Sequence, residues 1–320
     1  MRHLAATNVG LIVCGLTIAG LVHLRAQSGT MTEIPLDDAP DSFVGLPTSP
    51  TGGGPEAIAF DGTNIWVAKQ FANTVVRLDP ATGTRLGAVA VGKRPVALLR
   101  VGTSLWVANL ESDTLTQLRT TDGAVIGTFP VGDGPGGLAF DGVNLWVANR
   151  NGNSVSKVSL QGSLVATFGV GRRPLGLAYD GTNVWVANNL GNSVSKLRPS
   201  DGVVLGTFAV GNGPFGLLYD GSSIWVSNFF SRNVMKLRPS DGALLATYAA
   251  GDGAAGLAAD NTSIWVANNG DSTVIRLDRA TGTRLATYTS GAGPFGITFD
   301  GLNIWVANFG SSSVSTTRTP

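Results

Sequence analysis

The chain has 320 residues and a formal net charge of +1, and its charged residues make up 13%, about half of the ~25% usual in soluble domains. It contains 44 glycines and no helix-favouring Ala-Glu-Lys-Leu runs, so the composition predicts an all-β protein with many tight turns. No run of Lys or Arg exceeds two residues, which argues against nucleic acid as a partner because nothing here would neutralise a phosphate backbone.

The N-terminus carries an apolar run, residues 9–22, after Arg2 and His3. This pattern predicts an export signal over residues 1–26, with Ala26 as the small residue at the cleavage point. An uncleaved anchor is the alternative, although the run is shorter than the ~20 residues that cross a bilayer comfortably. We therefore expect an exported protein, in the periplasm, at the cell surface or secreted, with no membrane contact beyond this segment.

Cysteine and histidine are confined to the same N-terminal region. The only cysteine is Cys14, and the only histidines are His3 and His23. The sequence after residue 26 therefore lacks disulfides, thiolate metal sites and cysteine nucleophiles. It also lacks an imidazole, so a general base active near neutral pH would have to be a carboxylate or a lysine with a strongly shifted pKa.

Seven tryptophans, spaced 39 or 40 residues apart, mark a repeat. Each unit opens with a turn, which ends in Pro in six units, and continues with an apolar strand such as "GLAFD" and usually an Asp-Gly turn. The Trp strand, such as "NIWVAN", comes next, followed by strands such as "SVSKLRPS" and "VVLGTFAVG". Four antiparallel strands per unit and seven units predict a single seven-bladed β-propeller over residues 43–320.

The last unit ends before its fourth strand. Aligning Pro55 with Pro95 places "FVGLPTSPT", residues 43–51, in the fourth-strand position that precedes the first unit. The sequence therefore predicts that this N-terminal strand closes the ring by pairing with residues 313–318 of the last blade. Residues 27–42 are predicted to be a tether.

The Trp strand is apolar on both faces, as packing between blades requires, so the tryptophans are interpreted as packing wedges. This strand ends with Lys69 in the first unit and with asparagine in the other six. Two interpretations stay open: the amides satisfy backbone groups at a turn, or they ring the channel mouth and hold water, a sugar or a cation. The asparagines are Asn109, Asn149, Asn188, Asn228, Asn268 and Asn308.

Loops that enter the blades share one face of a propeller with the loops that follow the Trp strands. The early blades place basic residues there, and the late blades place aromatic ones. The basic residues are Lys69, Lys93, Arg94, Arg150, Arg172 and Arg173, and the aromatic residues are Phe215, Phe229, Phe230, Phe295 and Phe309. Solvated loop tips and core packing are the alternatives, but arginine beside aromatic anchors is typical of binding surfaces. We expect a monomer that binds an anionic or amphipathic glycan, peptide or protein loop here.

The repeat P-x-G-L-x-x-D-G-x-x-I-W-V-A-N-x-x-x-x-x-V-x-K-L resembles that of virginiamycin B lyase and related YVTN-type exported propellers, over residues 46–320. This resemblance implies a lyase that opens a cyclic lactone peptide by elimination. It also implies a His just after the blade-opening Pro, a Glu after the Trp strand and a nearby Mg ion. This sequence has no His after any opening Pro and no Glu at the end of any Trp strand, so the catalytic residues of the family are not expected.

The sequence is also similar to lactonase-like propellers, which hold a central Ca with Glu, Asn and Asp. Glu56 and Glu111 are the only carboxylates that we can place near the axis as metal ligands. The leading prediction is therefore an exported, non-catalytic binding module with no catalytic residues and no cofactor. The alternative is a Mg- or Ca-dependent enzyme of the lyase or lactonase kind.

Overall fold

The computed structural model describes residues 27–36 and 53–319, which form 29 β-strands and one short 3₁₀ turn. The first described strands are β1 (Gln27–Thr30) and β2 (Thr32–Pro35), and they belong to two of the seven sheets of the structure. These sheets are the seven predicted blades, each with four antiparallel strands, so the predicted fold is confirmed. No helix in these two described ranges is long and apolar enough to span a membrane.

The strands of the first four blades follow in chain order. They are β3 (Pro55–Phe60), β4 (Ile65–Lys69), β5 (Thr74–Leu78) and β6 (Arg85–Ala90) in blade one; β7 (Pro95–Val101), β8 (Ser104–Asn109), β9 (Thr114–Arg119) and β10 (Val125–Pro130) in blade two; β11 (Pro135–Phe140), β12 (Leu145–Asn149), β13 (Ser154–Val158) and β14 (Leu164–Gly169) in blade three; and β15 (Pro174–Tyr179), β16 (Val184–Asn188), β17 (Ser193–Leu197) and β18 (Val204–Ala209) in blade four. The 3₁₀ turn, Asn189–Gly191, lies between β16 and β17.

The last three blades repeat the same order. Their strands are β19 (Pro214–Tyr219), β20 (Ile224–Asn228), β21 (Asn233–Leu237) and β22 (Leu244–Ala249) in blade five; β23 (Ala254–Ala259), β24 (Ser263–Asn268), β25 (Thr273–Asp278) and β26 (Arg284–Thr289) in blade six; and β27 (Pro294–Phe299), β28 (Asn303–Asn308) and β29 (Ser313–Arg318) in blade seven. Blade seven takes its fourth strand from the N-terminal segment.

The Asp-Gly turn organises the first hairpin of a blade. In blade one, Asp61 Oδ1 accepts hydrogen bonds from the backbone N–H groups of Thr63 and Asn64 at 2.7 and 2.6 Å. Gly62 has φ 98°, a conformation that glycine adopts without a steric penalty. The second oxygen of Asp61 accepts a hydrogen bond from Trp66 Nε1 at 2.6 Å. One carboxylate therefore fixes both the turn and the orientation of the tryptophan.

All seven tryptophans are buried between neighbouring blades, as the sequence predicts. Trp66 packs against Leu105 and Leu118 of blade two, and Trp305 packs against blade one. Within a blade, an aromatic residue of the fourth strand and a cation of the third strand often cover the indole, as Tyr248 and Lys236 cover Trp225. The tryptophans are thus packing wedges.

The first strand of each blade is the innermost, and glycine lets the innermost strands approach one another. A Cβ added to Gly137 would lie 1.9 Å from the carbonyl oxygen of Leu175 in the next blade. The equivalent glycines of blades four to seven are similarly close to a neighbouring carbonyl, within 2.7 Å; they are Gly176, Gly216, Gly256 and Gly296. Blades one and two carry alanine at this position. The channel is therefore lined by the backbone of closely spaced first strands and by the few side chains that project from them.

An N-terminal strand closes the ring, but it is not the segment that the sequence predicts. Strand β2 pairs antiparallel with β29, with Ile34 opposite Val314, and β1 adds a fifth, parallel strand to blade six. Residues 27–36 are therefore sheet, where a tether is predicted, and residues 43–51 lie outside the described residues. Burial explains the difference: Met31 and Leu36 are each 4% exposed and enter the cores beside Trp265 and Trp305. The alignment of Pro55 with Pro95 did not take these apolar residues into account.

Candidate functional site

A β-bulge follows the first residue of every blade. In blade one, Pro55 pairs with Lys69 and Ala57 with Ala68, so Glu56 has no partner in the ladder. A bulge re-aims the side chain that it leaves unpaired. The corresponding residues around the ring are Glu56, Val96, Gly136, Leu175, Phe215, Ala255 and Phe295. All of them except Ala255 line a cavity of about 500 Å³ at the end of the channel where the chain enters the blades.

Two groups of residues predicted from the loops meet in this cavity, which we call the channel-mouth cavity. The basic group from blades two to four and the aromatic group from blades five and seven both line it. The lining residues among those predicted are Arg94, Arg150, Arg173, Phe215, Phe229, Phe230, Phe295 and Phe309. The structure thus places basic and aromatic side chains in a single concave site; ligand binding there stays a prediction.

The asparagine ring does not line the cavity. Asn149 is fully buried, and its Nδ2 donates hydrogen bonds to the hydroxyls of Ser154 and Ser156, both at 2.9 Å. Asn268 Oδ1 accepts a hydrogen bond from the backbone N–H of Gly251 at 3.0 Å. The channel-mouth interpretation was wrong because these residues end the second strand, and the first strand separates that strand from the axis. Each asparagine instead donates to a side chain at the start of the third strand, and Asn268 also holds the loop before blade six.

Four other predicted polar residues also lie outside the cavity lining. Lys69 is buried, and its Nζ donates to the carbonyl oxygen of Leu36, so it holds the N-terminal segment. Arg172 is an exposed loop residue. Glu111 forms an ion pair with Arg94, with Oε1 3.1 Å from the guanidinium. Lys93 is likewise exposed beside Arg94.

The aromatic wall is a continuous cluster. Phe215 and Phe295 meet at a centroid distance of 5.6 Å, and Phe229 contacts both. Blade six permits this contact because its bulge residue is the small, fully buried Ala255. Phe71, which the sequence analysis did not single out, extends the cluster through a contact with Phe309 at 5.6 Å. Phe71 occupies the same loop position in blade one as Phe230 in blade five, and that alignment could have identified it.

The basic wall contains two arginines in an unusual backbone conformation. The residue before the opening Pro (Ala in blade six) has positive φ in every blade, and five blades use glycine there: Gly54, Gly134, Gly213, Gly253 and Gly293. Arg94 and Arg173 occupy this position in blades two and four with φ 57° and 54°. A left-handed non-glycine residue is uncommon and costs roughly 1–2 kcal/mol. Such outliers concentrate at functional sites.

The arginines of the basic wall differ in their partners. Arg94 donates to Gln70 Oε1 at 2.8 Å and to Glu111 Oε1 at 3.1 Å. Within the described residues, the guanidinium groups of Arg150 and Arg173 form no ion pair or hydrogen bond. The cavity therefore presents two positive charges that no described side chain neutralises.

Glu56 is the one carboxylate among the residues that line the cavity. Burial raises its pKa to about 7, and the positive charge of Arg94 opposes this rise. Glu56 therefore exchanges its proton near neutral pH. Its position, directly after the blade-opening Pro, is the one at which the lyase resemblance would place a histidine.

The residues present do not fit a divalent cation. Magnesium and calcium take several oxygen ligands, usually with more than one carboxylate. The cavity offers one carboxylate beside three guanidinium groups, and the second predicted candidate, Glu111, is bound to Arg94. Across residues 27–36 and 53–319 there is no group of three or more His, Cys, Asp or Glu that could hold a metal.

The fold and the cavity define a seven-bladed propeller with a half-basic, half-aromatic channel mouth, and solved structures share its architecture. Virginiamycin B lyase from Staphylococcus aureus, a catalytically inactive variant with quinupristin, superposes with a TM-score of 0.76 at 17% identity, covering 91% of this chain and 99% of that chain. Hydrazine synthase from Kuenenia stuttgartiensis gives 0.75 at 20% identity, covering 87% and 99%. A streptogramin B lyase gives 0.73 at 17% identity, covering 89% and 96%.

These similarities show that the chain shares the propeller fold of virginiamycin B lyase. No protein-family model matches the chain, and no curated protein matches it in sequence. At these identities the shared property is the fold alone, since one propeller architecture carries many unrelated activities. The function is therefore argued from the channel-mouth cavity.

Proposed function

We propose that this protein is an exported, non-catalytic binding module whose ligand occupies the channel-mouth cavity. The observation that carries the proposal is the convergence of the basic and aromatic walls, from separate blades, on one cavity. A volume of about 500 Å³ lies in the range of small-molecule sites, which combine apolar walls with a few polar groups. No cofactor is part of the proposal, because the polar groups of the lining do not fit a metal.

The lining residues support binding rather than covalent chemistry. They include no Ser, Thr, Cys, His, Lys or Tyr, so Glu56 is the one lining side chain that could act as a nucleophile or a base. The aromatic wall supplies rigid apolar surface, and the loops that carry it differ from blade to blade. A conserved scaffold with varied loops on one face is the usual arrangement of a binding propeller.

The neutral fluorescent probe N-phenyl-1-naphthylamine tests the cavity directly. We expect saturable one-to-one binding, with enhanced fluorescence, by a protein that starts at residue 27. The variant Phe215→Ser, Phe229→Ser should lose at least about tenfold in affinity, since each ring contributes on the order of 1–2 kcal/mol of apolar contact. Leu164→Ser, at an exposed position of the outer strand β14, is the matched control and should bind normally. Equal losses in both variants, or no saturable binding, would contradict the proposal.

A second candidate function rests on Glu56 alone. A base with a pKa near 7 at the position of the lyase histidine could support elimination in a lactone substrate without a metal. Glu56 would take a proton from carbon, the electron pair of the broken C–H bond would form the new C=C bond, and the carbon–oxygen bond of the lactone would break to leave a carboxylate. Incubation with quinupristin followed by mass spectrometry separates the two candidates. A ring-opened product that Glu56→Gln abolishes would establish the lyase, whereas unchanged quinupristin supports the binding module.

We also propose that export removes residues 1–26. Support comes from the apolar run and from strand β1, which starts at Gln27, directly after the predicted cleavage point. N-terminal sequencing of the protein from the periplasm or medium should begin at Gln27. Retention of the intact chain in the membrane fraction would instead establish the uncleaved anchor. Light scattering of the soluble form should give a monomer.

A further inference from the structure

Resting on the proposed function, we infer that Arg150 and Arg173 form an anion site and that the ligand is an amphipathic organic anion with one acidic group and an aromatic body. The two arginines lie on neighbouring blades, Arg150 after β12 and Arg173 before β15. The inference depends on three observations: the two guanidinium groups have no described partner, the bulge residue of blade three has no side chain, and no hydroxyl group lines the cavity.

Arg94 and Arg173 share a backbone conformation but differ in their side-chain partners. Both residues hold the left-handed conformation that five blades reserve for glycine. Arg94 satisfies its side chain with Gln70 and Glu111, whereas Arg173 has no described partner. A charged group that is partly removed from water without a partner is unfavourable unless something neutralises it. A bound anion would supply that partner.

Blade three adds no bulge side chain to the cavity beside these arginines. Its bulge residue is Gly136, the one member of the bulge ring without a side chain. The Cβ of Arg150 lies 3.7 Å from the position that a Cβ on Gly136 would take, and Leu175 flanks the same position at 3.7 Å. The Cβ position of Gly136 therefore lies within ordinary van der Waals contact range of Arg150 on one side and of Leu175, in the blade that carries Arg173, on the other. Planar guanidinium groups bind carboxylates and other oxyanions through paired hydrogen bonds.

The rest of the lining selects against a sugar. No hydroxyl side chain lines the cavity, and only two side-chain amides do. Gln70 is engaged by Arg94, and Asn189 Nδ2 donates to the carbonyl oxygen of Pro214 at 3.2 Å. A glycan would lose many hydrogen bonds to water and recover few of them here. An acid with an aromatic body, by contrast, matches the arginines at one end and the phenylalanines at the other.

Two related probes test the inference. The sulfonate 8-anilinonaphthalene-1-sulfonate is the anionic counterpart of the neutral N-phenyl-1-naphthylamine. We expect wild-type protein to bind the anion at least about tenfold more tightly than the neutral probe. In the double variant Arg150→Gln, Arg173→Gly this preference should disappear while the neutral probe still binds. Arg172→Gln, which changes an exposed neighbouring arginine outside the cavity, should retain the preference.

The outcomes are distinguishable. If the neutral probe binds and the anion binds no more tightly, the anion site is overturned and the proposed function stands. If neither probe binds, both are overturned. Competition then identifies the source of the anion: displacement by 3-phenylpropionate, but not by its amide, supports a small aromatic acid. Displacement only by a peptide ending in Phe-Phe with a free carboxylate would overturn the small-molecule assignment in favour of a peptide C-terminus.

Discussion

Val101 occupies in blade two the position that Asp61 occupies in blade one, and Trp106 Nε1 consequently lacks the carboxylate partner that Asp61 gives Trp66. The other six tryptophans each donate to an aspartate five residues earlier, at 2.6–2.8 Å. Trp106 is also the one indole whose buried nitrogen has no hydrogen-bond partner in the described structure. A buried donor without an acceptor costs about 1–3 kcal/mol.

Val101→Asp should therefore stabilise the propeller. The new carboxylate would accept from Trp106 and from the turn, raising the thermal midpoint by about 2 °C for a gain of about 1 kcal/mol. Calorimetry measures this shift. The converse change, Asp180→Val, removes the acceptor of Trp185 and should lower the midpoint. A lower midpoint for Val101→Asp would mean that the two-residue turn of blade two cannot accommodate the aspartate.

The Trp-Asp pairs should make the propeller sensitive to acid. Burial opposes ionisation of Asp220, Asp260 and Asp300, but hydrogen bonds from the indole and the turn outweigh it and lower the pKa of each carboxyl. A carboxyl with a lowered pKa in the folded state contributes stability above its unfolded pKa of about 3.9, and this is lost as pH falls through the folded value. Thermal midpoints should thus drop steeply below about pH 4. Asp260→Asn should flatten that drop; an unchanged slope would exclude the pair as its cause.

Glu56 should give stability the opposite pH dependence, with a loss as pH rises towards neutral. Because burial raises its pKa from 4.5 to about 7, its contribution to stability is complete below pH 4.5 and is lost as pH rises towards 7. Glu56→Gln should therefore raise the thermal midpoint at pH 8 and change it little at pH 4.5. Glu111→Gln, which alters an exposed carboxylate, is the control. Equal shifts at both pH values would show that Glu56 titrates normally.

Arg173→Gly should separate stability from binding. Glycine removes the left-handed strain at φ 54°, so the variant should gain about 1 kcal/mol of unfolding free energy. The same variant should bind 8-anilinonaphthalene-1-sulfonate more weakly than wild type, measured by fluorescence titration. Arg232→Gly, at another left-handed position outside the cavity lining, should be stabilised without a change in binding. A loss of stability in Arg173→Gly would show that the left-handed conformation of Arg173 does not destabilise the protein.

Leu36 tests the closure of the ring. It is 4% exposed in the core beside Trp305 and Val314, so Leu36→Ala should cost about 2–4 kcal/mol of unfolding free energy. Urea denaturation of wild type and variant measures the loss. Leu190→Ala, at an exposed loop position, should change stability by less than about 0.5 kcal/mol. An equally small effect at Leu36 would mean that β2 contributes little to closure.

The repeat made the blades predictable, because a 40-residue period with one Trp per unit leaves few other all-β arrangements. The loops also identified the cavity residues, since positions that build the blades are similar while Arg94 and Phe229 differ from their counterparts. The asparagines were harder to place: a repeated polar residue at a strand end looks the same whether it faces a channel or a loop. The structure decides between channel and loop, because the first strand of each blade, and not the second, is innermost.

Two features depended on contacts between distant parts of the chain. The raised pKa of Glu56 follows from burial by neighbouring blades, which local sequence does not encode. The closing strand was misplaced because the alignment assumed a constant spacing before Pro55, whereas Ile34 and Leu36 carry the inward-facing side chains. The misplaced strand is thus an error about long-range packing and not about secondary structure.

Strand β2 pairs with β29, so one of the first described segments of the chain is completed by the last. A ribosome makes β2 before the first blade and β29 as the last strand of blade seven, so a product that stops before β29 cannot form this sheet. The finished ring therefore requires the entire repeat array. The ring therefore stays open, with one blade incomplete, until β29 has been made.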